Sequence, residues 1–223
     1  MIADFEAGEV LLVDKPLTWT SFDVVKKLKY ALKIKKIGHA GTLDPLATGL
    51  LVICTGKMTK QIDKFQGQEK EYTGKILLGK TTPSFDLETE FDQEFSLENI
   101  TGELIRTTAL KFLGTITQTP PLYSAVKIDG RRAYDIARKG ENAEIKQRNV
   151  FIREFILTNI ELPYVSFRLK CSKGTYVRSL ARDLGVALGI GATLAELRRT
   201  KIGKFDVASA KTPADLIESF SSR

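Results

Sequence analysis

The chain has 223 residues, 43% hydrophobic and 27% charged, which fits an ordinary globular protein and excludes collagen-like, disulfide-dense and wholly disordered chains. Lysine plus arginine number 34 against 27 acidic residues, a net charge of +7 that favours a polyanionic partner. One histidine and two cysteines are too few ligands for a zinc finger, a three-histidine site or a cysteine-held cluster, so no metal is expected.

Cys54 and Cys171 sit in apolar contexts and read as buried and reduced. The first residues are acidic where a signal peptide would be basic, and no apolar run approaches membrane-spanning length. The expectation is a cytoplasmic protein with no membrane association.

Glu9 to Val13 reads as a buried strand ending at Asp14-Lys15-Pro16. Thr20-Ser21 then caps a helix with Phe22, Val25, Leu28 and Leu32 at helical spacing. Lys35 to Gly49 reads as a small-residue loop, Gly49 to Cys54 as a short buried run, and Thr59 to Phe65 as a helix stopped at Gly67. Glu71 to Gly79 predicts a strand, followed by a turn-rich stretch to about Glu94 and a helix over Gly102 to Phe112. Leu122 to Ile128 alternates before an Asp129-Gly130 turn, and Arg132 to Arg138 is a short helix closed by Gly140. Phe151 to Leu157 and Tyr164 to Cys171 read as strands, the second with Val165, Phe167, Leu169 and Cys171 on one face. Thr175 to Leu188 is helical, and Thr212-Pro213 starts a closing helix. Strands and helices mix without a βαβ rhythm, which predicts an α+β fold with a mostly antiparallel sheet flanked by helices.

Gly74 to Thr81 satisfies the P-loop pattern. Its spacer Lys75-Ile76-Leu77-Leu78 wants to be a strand, however, and Pro83 falls where the following helix should be established, so the match is set aside. Gly185, Gly189 and Gly191 follow a helix rather than a strand and read as helix-end glycines.

The most informative stretch is Gly38 to Gly49, with three glycines, two alanines and two threonines. So little side-chain bulk would let a ligand approach the backbone closely. Asp44 precedes Pro45, which stiffens it in an extended conformation and suits a carboxylate that must meet a substrate atom. An ordinary Asp-Pro turn would leave the same pattern, and the loop by itself does not separate the two.

This loop resembles the signature of the TruB family of tRNA pseudouridine synthases. The likeness extends to Val10 through Pro16, Leu122 through Lys127, Cys171 through Arg178, and Leu197-Arg198-Arg199-Thr200, in the family's order. It implies the pseudouridine synthase catalytic fold as a single domain over residues 1–223, without the C-terminal PUA domain of many members. It implies conversion of uridine 55 to pseudouridine in the T-arm stem-loop of tRNA by a monomeric isomerase without cofactor. A non-catalytic RNA-binding or RNA-folding protein on the same scaffold is the alternative, and it has no need of a carboxylate among phosphates.

The resemblance also implies roles for individual residues. Asp44 matches the catalytic aspartate, and Arg178 the arginine that pairs with it. Tyr72 matches a tyrosine that stacks on the target base and relays a proton. Tyr176 matches a second pocket residue and Leu197 an apolar wall. His39, the lone histidine, lacks an orienting acid and reads as a stacking or wedging ring beside a flipped-out nucleotide. Basic residues cluster at Lys33, Lys35 and Lys36; at Lys57, Lys60 and Lys64; at Arg131, Arg132, Arg138 and Lys139; and at Arg198, Arg199 and Lys201, where they suit phosphate tracking.

Overall fold

The computed structural model describes residues 4–221 except 125, 126, 129, 138 and 140–144. Besides two-residue pairings and short 3-10 turns, its elements are β1 (Val10–Lys15), α1 (Ser21–Ala31), β2 (Ile37–His39), β3 (Ala47–Thr55), α2 (Ile62–Gln66), β4 (Lys70–Leu78), α3 (Gly102–Leu110), β5 (Gly114–Gln118), α4 (Ala133–Ala137), β6 (Arg148–Glu161), β7 (Tyr164–Cys171), α5 (Val177–Leu188), β8 (Ala192–Ile202) and α6 (Pro213–Ser221). They form two compact units, Met1–Thr73 with Leu197–Arg223, and Gly74–Glu196. Strands β4 and β8 each begin in one unit and end in the other.

In the first unit β3 is the central strand. It pairs antiparallel with β1, Val10 opposite Cys54 through Lys15 opposite Gly49. It also pairs antiparallel with β2 at residues 53–55 and parallel with β8 at residues 47–49. Leu51 and Ile53 face a core with Leu11, Val13, Val24, Val25, Leu28 and Leu216, covered by α1 and α6. Leu50, Val52 and Cys54 face a second core with Ala40, Phe65 and Ile202. Burial on both faces is why this segment reads as an unbroken apolar run rather than an alternation.

Helix α1 starts at a full capping box: Asp23 N–H donates to the Thr20 hydroxyl oxygen, and Thr20 N–H donates to the Asp23 carboxylate. Its buried residues are Ser21, Val24, Val25 and Leu28, whereas Phe22, expected on the apolar face, is 68% exposed. Phe22 fits the spacing only loosely, and the core takes Val24 and Leu28 four residues apart instead. Helix α6 begins where expected, with Thr212 bonded to Asp215.

In the second unit the strand order is β4, β7, β6, β5, and β6 pairs antiparallel with both β7 and β5. Val165, Phe167, Leu169 and Cys171 are buried as predicted, with Phe167 meeting Phe155 edge to face. Helices α3 and α5 pack against each other, and α3 also touches β6. Gly74 to Leu78 lies inside β4, so its backbone groups belong to a strand rather than a phosphate cradle. Gly189 closes α5 in the left-handed conformation.

The architecture is α+β with a mixed, mostly antiparallel sheet. The sequence reading missed β2, inside the presumed loop, and the whole of β5 and β8. The run Gly56–Gln61 is 3-10 before α2, so the expected helix starts later, at Ile62. Of the Leu122 to Ile128 segment, Ala125 and Val126 lie outside the described residues, as do Asp129 of the turn and Gly140 of the helix end. Both cysteines are free and buried. No described helix is long and apolar enough to cross a membrane.

Candidate active site

Asp44 lies in the turn between β2 and β3, half-buried, its carbonyl accepting from Ala47 N–H at 3.0 Å. Three side chains from distant parts of the sequence hold this turn. The Ser21 hydroxyl, in the first turn of α1, accepts from Leu43 N–H at 2.8 Å and donates to the Leu43 carbonyl at 3.2 Å. Lys15, at the end of β1, is fully buried; its ammonium donates to the carbonyls of Pro16 at 2.9 Å, Trp19, and Pro45 at 3.3 Å. Arg199 on β8, 1% exposed, donates to the carbonyls of Leu50 at 2.7 Å, Gly41 at 3.0 Å and Thr42 at 3.4 Å. Buried carbonyls need such partners, and a lysine and an arginine that spend their donors on them make the turn rigid.

The glycines of this stretch serve packing more than ligand approach. Gly49 has φ +101°, and a Cβ there would lie 2.3 Å from the Arg199 carbonyl oxygen, because β3 and β8 run in parallel contact at that point. A Cβ at Gly38 would meet the Ile62 side chain at 2.8 Å. Small residues here let the protein's own backbone and core close up, which contradicts the expectation of a ligand against both.

Burial pushes the Lys15 ammonium down to about 8; the Asp44 carboxylate opposes that shift and the Arg199 guanidinium adds to it. His39 pairs with Ile53 across β2 and β3 and is half-buried, with Nδ1 enclosed and without a hydrogen-bond partner. Burial first, then Arg199, lowers its pKa from the ordinary value, and the Gly41 backbone offsets part of the change. The ring is therefore neutral at pH 7, an aromatic plate rather than a cation.

Leu197 on β8 lies opposite Ala47 in the parallel register, three residues beyond Asp44, and is half-buried. Tyr72, near the start of β4, is 8% exposed. The neighbouring Glu71 accepts from the Thr200 hydroxyl at 2.9 Å, which ties this end of β4 to β8. The first unit thus brings the loop of Asp44, the strand of His39, Leu197 and the strand of Tyr72 onto one framework.

Tyr176 and Arg178 belong to the second unit. Tyr176 is the N-cap of α5; its N–H donates to Gln118 Oε1 at 3.1 Å and its ring lies under the Arg148 guanidinium at 5.2 Å. Arg178, 3% exposed, donates to the Ser84 carbonyl at 3.1 Å and the Tyr123 carbonyl at 2.9 Å, and its Nε lies 3.5 Å from Asp86. Ser84 and Asp86 flank Phe85, whose φ of +64° is rare for an aromatic residue, in a turn held by the Thr82 and Ser84 hydroxyls on the Asp86 carbonyl. Arg178 is accordingly an aimed, buried cation.

Sequence reasoning missed three residues of this framework. Lys15 and Arg199 sit inside blocks that carried the resemblance, but Arg199 read as a phosphate-tracking surface charge, and its burial overturns that. Its neighbours Arg198 and Lys201 are also engaged, Arg198 with Asp14 at 2.7 Å and Lys201 with Asp206 at 3.5 Å. Asp86 carried no spacing signal at all, since its partner is ninety-odd residues away in sequence. Lys35 is paired with Glu6. Arg138 lies outside the described residues. Among the described residues no three His, Cys, Asp or Glu side chains gather as a metal site.

The chain matches a family model described as TruB family pseudouridylate synthase, N-terminal domain, over residues 29–177, and one described as tRNA pseudouridylate synthase B C-terminal domain over residues 178–222. It is 58% identical to tRNA pseudouridine synthase B of Flavobacterium johnsoniae, over 93% of both chains. It is 53% identical to the protein of that name from Parabacteroides distasonis, over 96% of this chain and 93% of the relative. Among solved structures it resembles a Cbf5–Nop10–Gar1 complex, with TM-score 0.75 and 31% identity over 96% of this chain, spanning 54% of that one. It also resembles an H/ACA RNP bound to a substrate RNA containing 2'-deoxyuridine, with TM-score 0.72 and 28% identity over 96% of this chain and 53% of the other.

Proposed function

Because the chain belongs to the TruB family of pseudouridylate synthases, tRNA-modifying isomerases, we propose that it converts uridine 55 in the T arm of tRNA to pseudouridine with Asp44 as the catalytic residue. The observation that supports this most is the fixed backbone under the carboxylate: a half-buried aspartate on a turn clamped by Lys15, Ser21 and Arg199, among chain segments that match the family throughout.

The reaction breaks the bond from C1′ to N1, turns the uracil, and forms a bond from C1′ to C5. The C5 proton leaves and N1 gains one, so atoms and charge balance without a redox step. Departure of the base develops positive charge at C1′, as in glycoside cleavage, and a fixed carboxylate stabilises it. Asp44 takes that role, and Arg178 is the arginine that the family resemblance pairs with it. Tyr72 stacks on the flipped-out uracil and relays the proton; Tyr176 and Leu197 complete the pocket wall. His39, neutral, fills the space the base leaves in the loop. The enzyme acts as a cytoplasmic monomer and needs neither metal nor cofactor.

Asp44→Asn tests this reading, since the amide keeps the shape and removes the charge. Pseudouridine formation in unmodified tRNA, followed at saturating enzyme, is expected to fall by at least about a thousandfold, the scale of a lost key electrostatic group. Binding of the tRNA is expected to stay near wild type. Substantial turnover by the variant would remove Asp44 from its role, and no turnover by the wild type would favour a non-catalytic RNA-binding protein.

A further inference from the structure

One face of α1 takes no part in the site described above. Trp19, Asp23, Lys26, Lys27, Tyr30 and Ala31, spaced as a single helical stripe, line a cavity of about 660 Å³ on the first unit. Tyr30 is 72% exposed and its hydroxyl makes no hydrogen bond among the described residues, an unusual position for so large an aromatic ring. Lys26 and Lys27 stand four and three residues before it, on the same face of the helix, and Lys33 follows just past the helix end. Lys26, Lys27, Lys29 and Lys33 are exposed and form no ion pair among the described residues, unlike Lys35, Arg198 and Lys201. The one acid of the stripe, Asp23, is committed to the Thr20 cap, which with a smaller contribution from the nearby Lys26 charge holds its carboxyl below the usual range. An exposed aromatic ring beside lysines free of ion pairs matches a nucleic-acid strand, the ring taking a base and the ammonium groups the neighbouring phosphates.

We propose that this face of α1 is an RNA-binding site that grips the substrate tRNA away from the target uridine. The inference rests on the tRNA reading above. The first turn of α1 is joined to the Asp44 turn through Ser21 and Leu43. Tyr30 stands nine residues further along, about 13 Å at the helical rise. At about 3.4 Å per nucleotide of a stacked strand, that reaches about four nucleotides beyond the turn. Lysine suits this task better than arginine would, because its compact charge tracks phosphates without demanding one geometry.

The test measures affinity of the full chain for tRNA and for an isolated T-arm stem-loop across a salt series, together with the single-turnover rate at saturating enzyme. Tyr30→Ala is expected to weaken tRNA binding about tenfold, as for a lost base stack, and Tyr30→Phe to restore it. Lys26→Gln with Lys27→Gln is expected to weaken binding and to reduce the logarithmic salt slope by about 1.4 to 1.8, two phosphate contacts. The saturated rate should hold in all three variants, because none touches the Asp44 framework. A loss on both RNAs places the contact inside the T arm; a loss on tRNA alone places it outside, and either supports the site. Unchanged affinity and slope in Tyr30→Ala and the lysine pair would overturn it, and equal loss in Tyr30→Phe and Tyr30→Ala would overturn the stacking role. The binding arm remains readable if the wild type makes no pseudouridine, which would refute the proposed reaction but not RNA docking on α1.

Discussion

Lys15 shows how a single buried charge constrains the whole turn. Its three donors serve three carbonyls, and only the ammonium form has enough protons for all of them. With its pKa lowered to about 8, it begins to lose that proton just above physiological pH. Two effects of opposite sign follow. Between about pH 8 and 10.5 the unfolded chain holds the proton more tightly than the folded one, so the stability penalty of burying the charge is relieved as pH rises. Over the same range the turn loses a donor and Asp44 loses a neighbouring positive charge, so catalysis suffers. We predict a descending limb near pH 8 in the single-turnover rate of the wild type, absent in Lys15→Met, which should run at a uniformly low rate from pH 6.5 to 9.5. Melting of the two proteins over pH 8 to 10 should show the wild type gaining relative to the variant. A wild-type rate flat to pH 9.5 would separate Lys15 from the turn's function.

At the scale of elements, the parallel contact between β3 and β8 decides where the catalytic turn sits. It aligns Leu197 with Ala47 and Arg199 with Gly49, and Arg199 then reaches Gly41, Thr42 and Leu50. Gly49 permits this approach by its left-handed φ and by its lack of a Cβ. Gly49→Ala is therefore expected to destabilise the protein by about 3 kcal/mol or more, since both strain and a backbone clash are introduced. Chemical denaturation measures it directly, and a loss below about 1 kcal/mol would mean that the two strands separate easily. Strand β8 was invisible in sequence because its buried residues do not alternate: Ala192, Thr193 and Leu194 are buried consecutively, and later Arg199 points inward where a strand pattern wants an apolar residue.

Across the molecule, the basic residues differ in situation in ways that the sequence does not distinguish. Lys15, Arg178 and Arg199 are cations turned inward, whereas the lysines of α1 are outward and free of ion pairs among the described residues, and Lys35, Arg198 and Lys201 are held by acids. The lysines of α1 are the ones proposed above to dock a polyanion. The proposed isomerisation calls for no metal ion, and the side chains that hold the backbone of the Asp44 turn are lysine, serine and arginine, poor metal ligands at neutral pH. Treatment with a chelator, on tRNA folded beforehand in monovalent salt, is expected to leave the single-turnover rate within about twofold of the untreated value, less than 0.5 kcal/mol of barrier. A metal-restorable loss would contradict that.

The amino-acid order alone determined the local features: the Thr20 and Thr212 caps, the alternation of β7, the rejection of the P-loop match, and the small-residue stretch around Asp44. These are set by neighbours within a few residues, where propensity, capping and periodicity act. The family-wide motifs added the identity of Asp44, Tyr72 and Arg178 as candidates. Only the tertiary structure decided which basic residues are buried, that β8 exists, that Asp86 accompanies Arg178, and that Gly49 serves a strand contact rather than a ligand. Those outcomes depend on partners tens of residues or more apart or on backbone approach in space, and such pairings leave no periodic trace in a single chain.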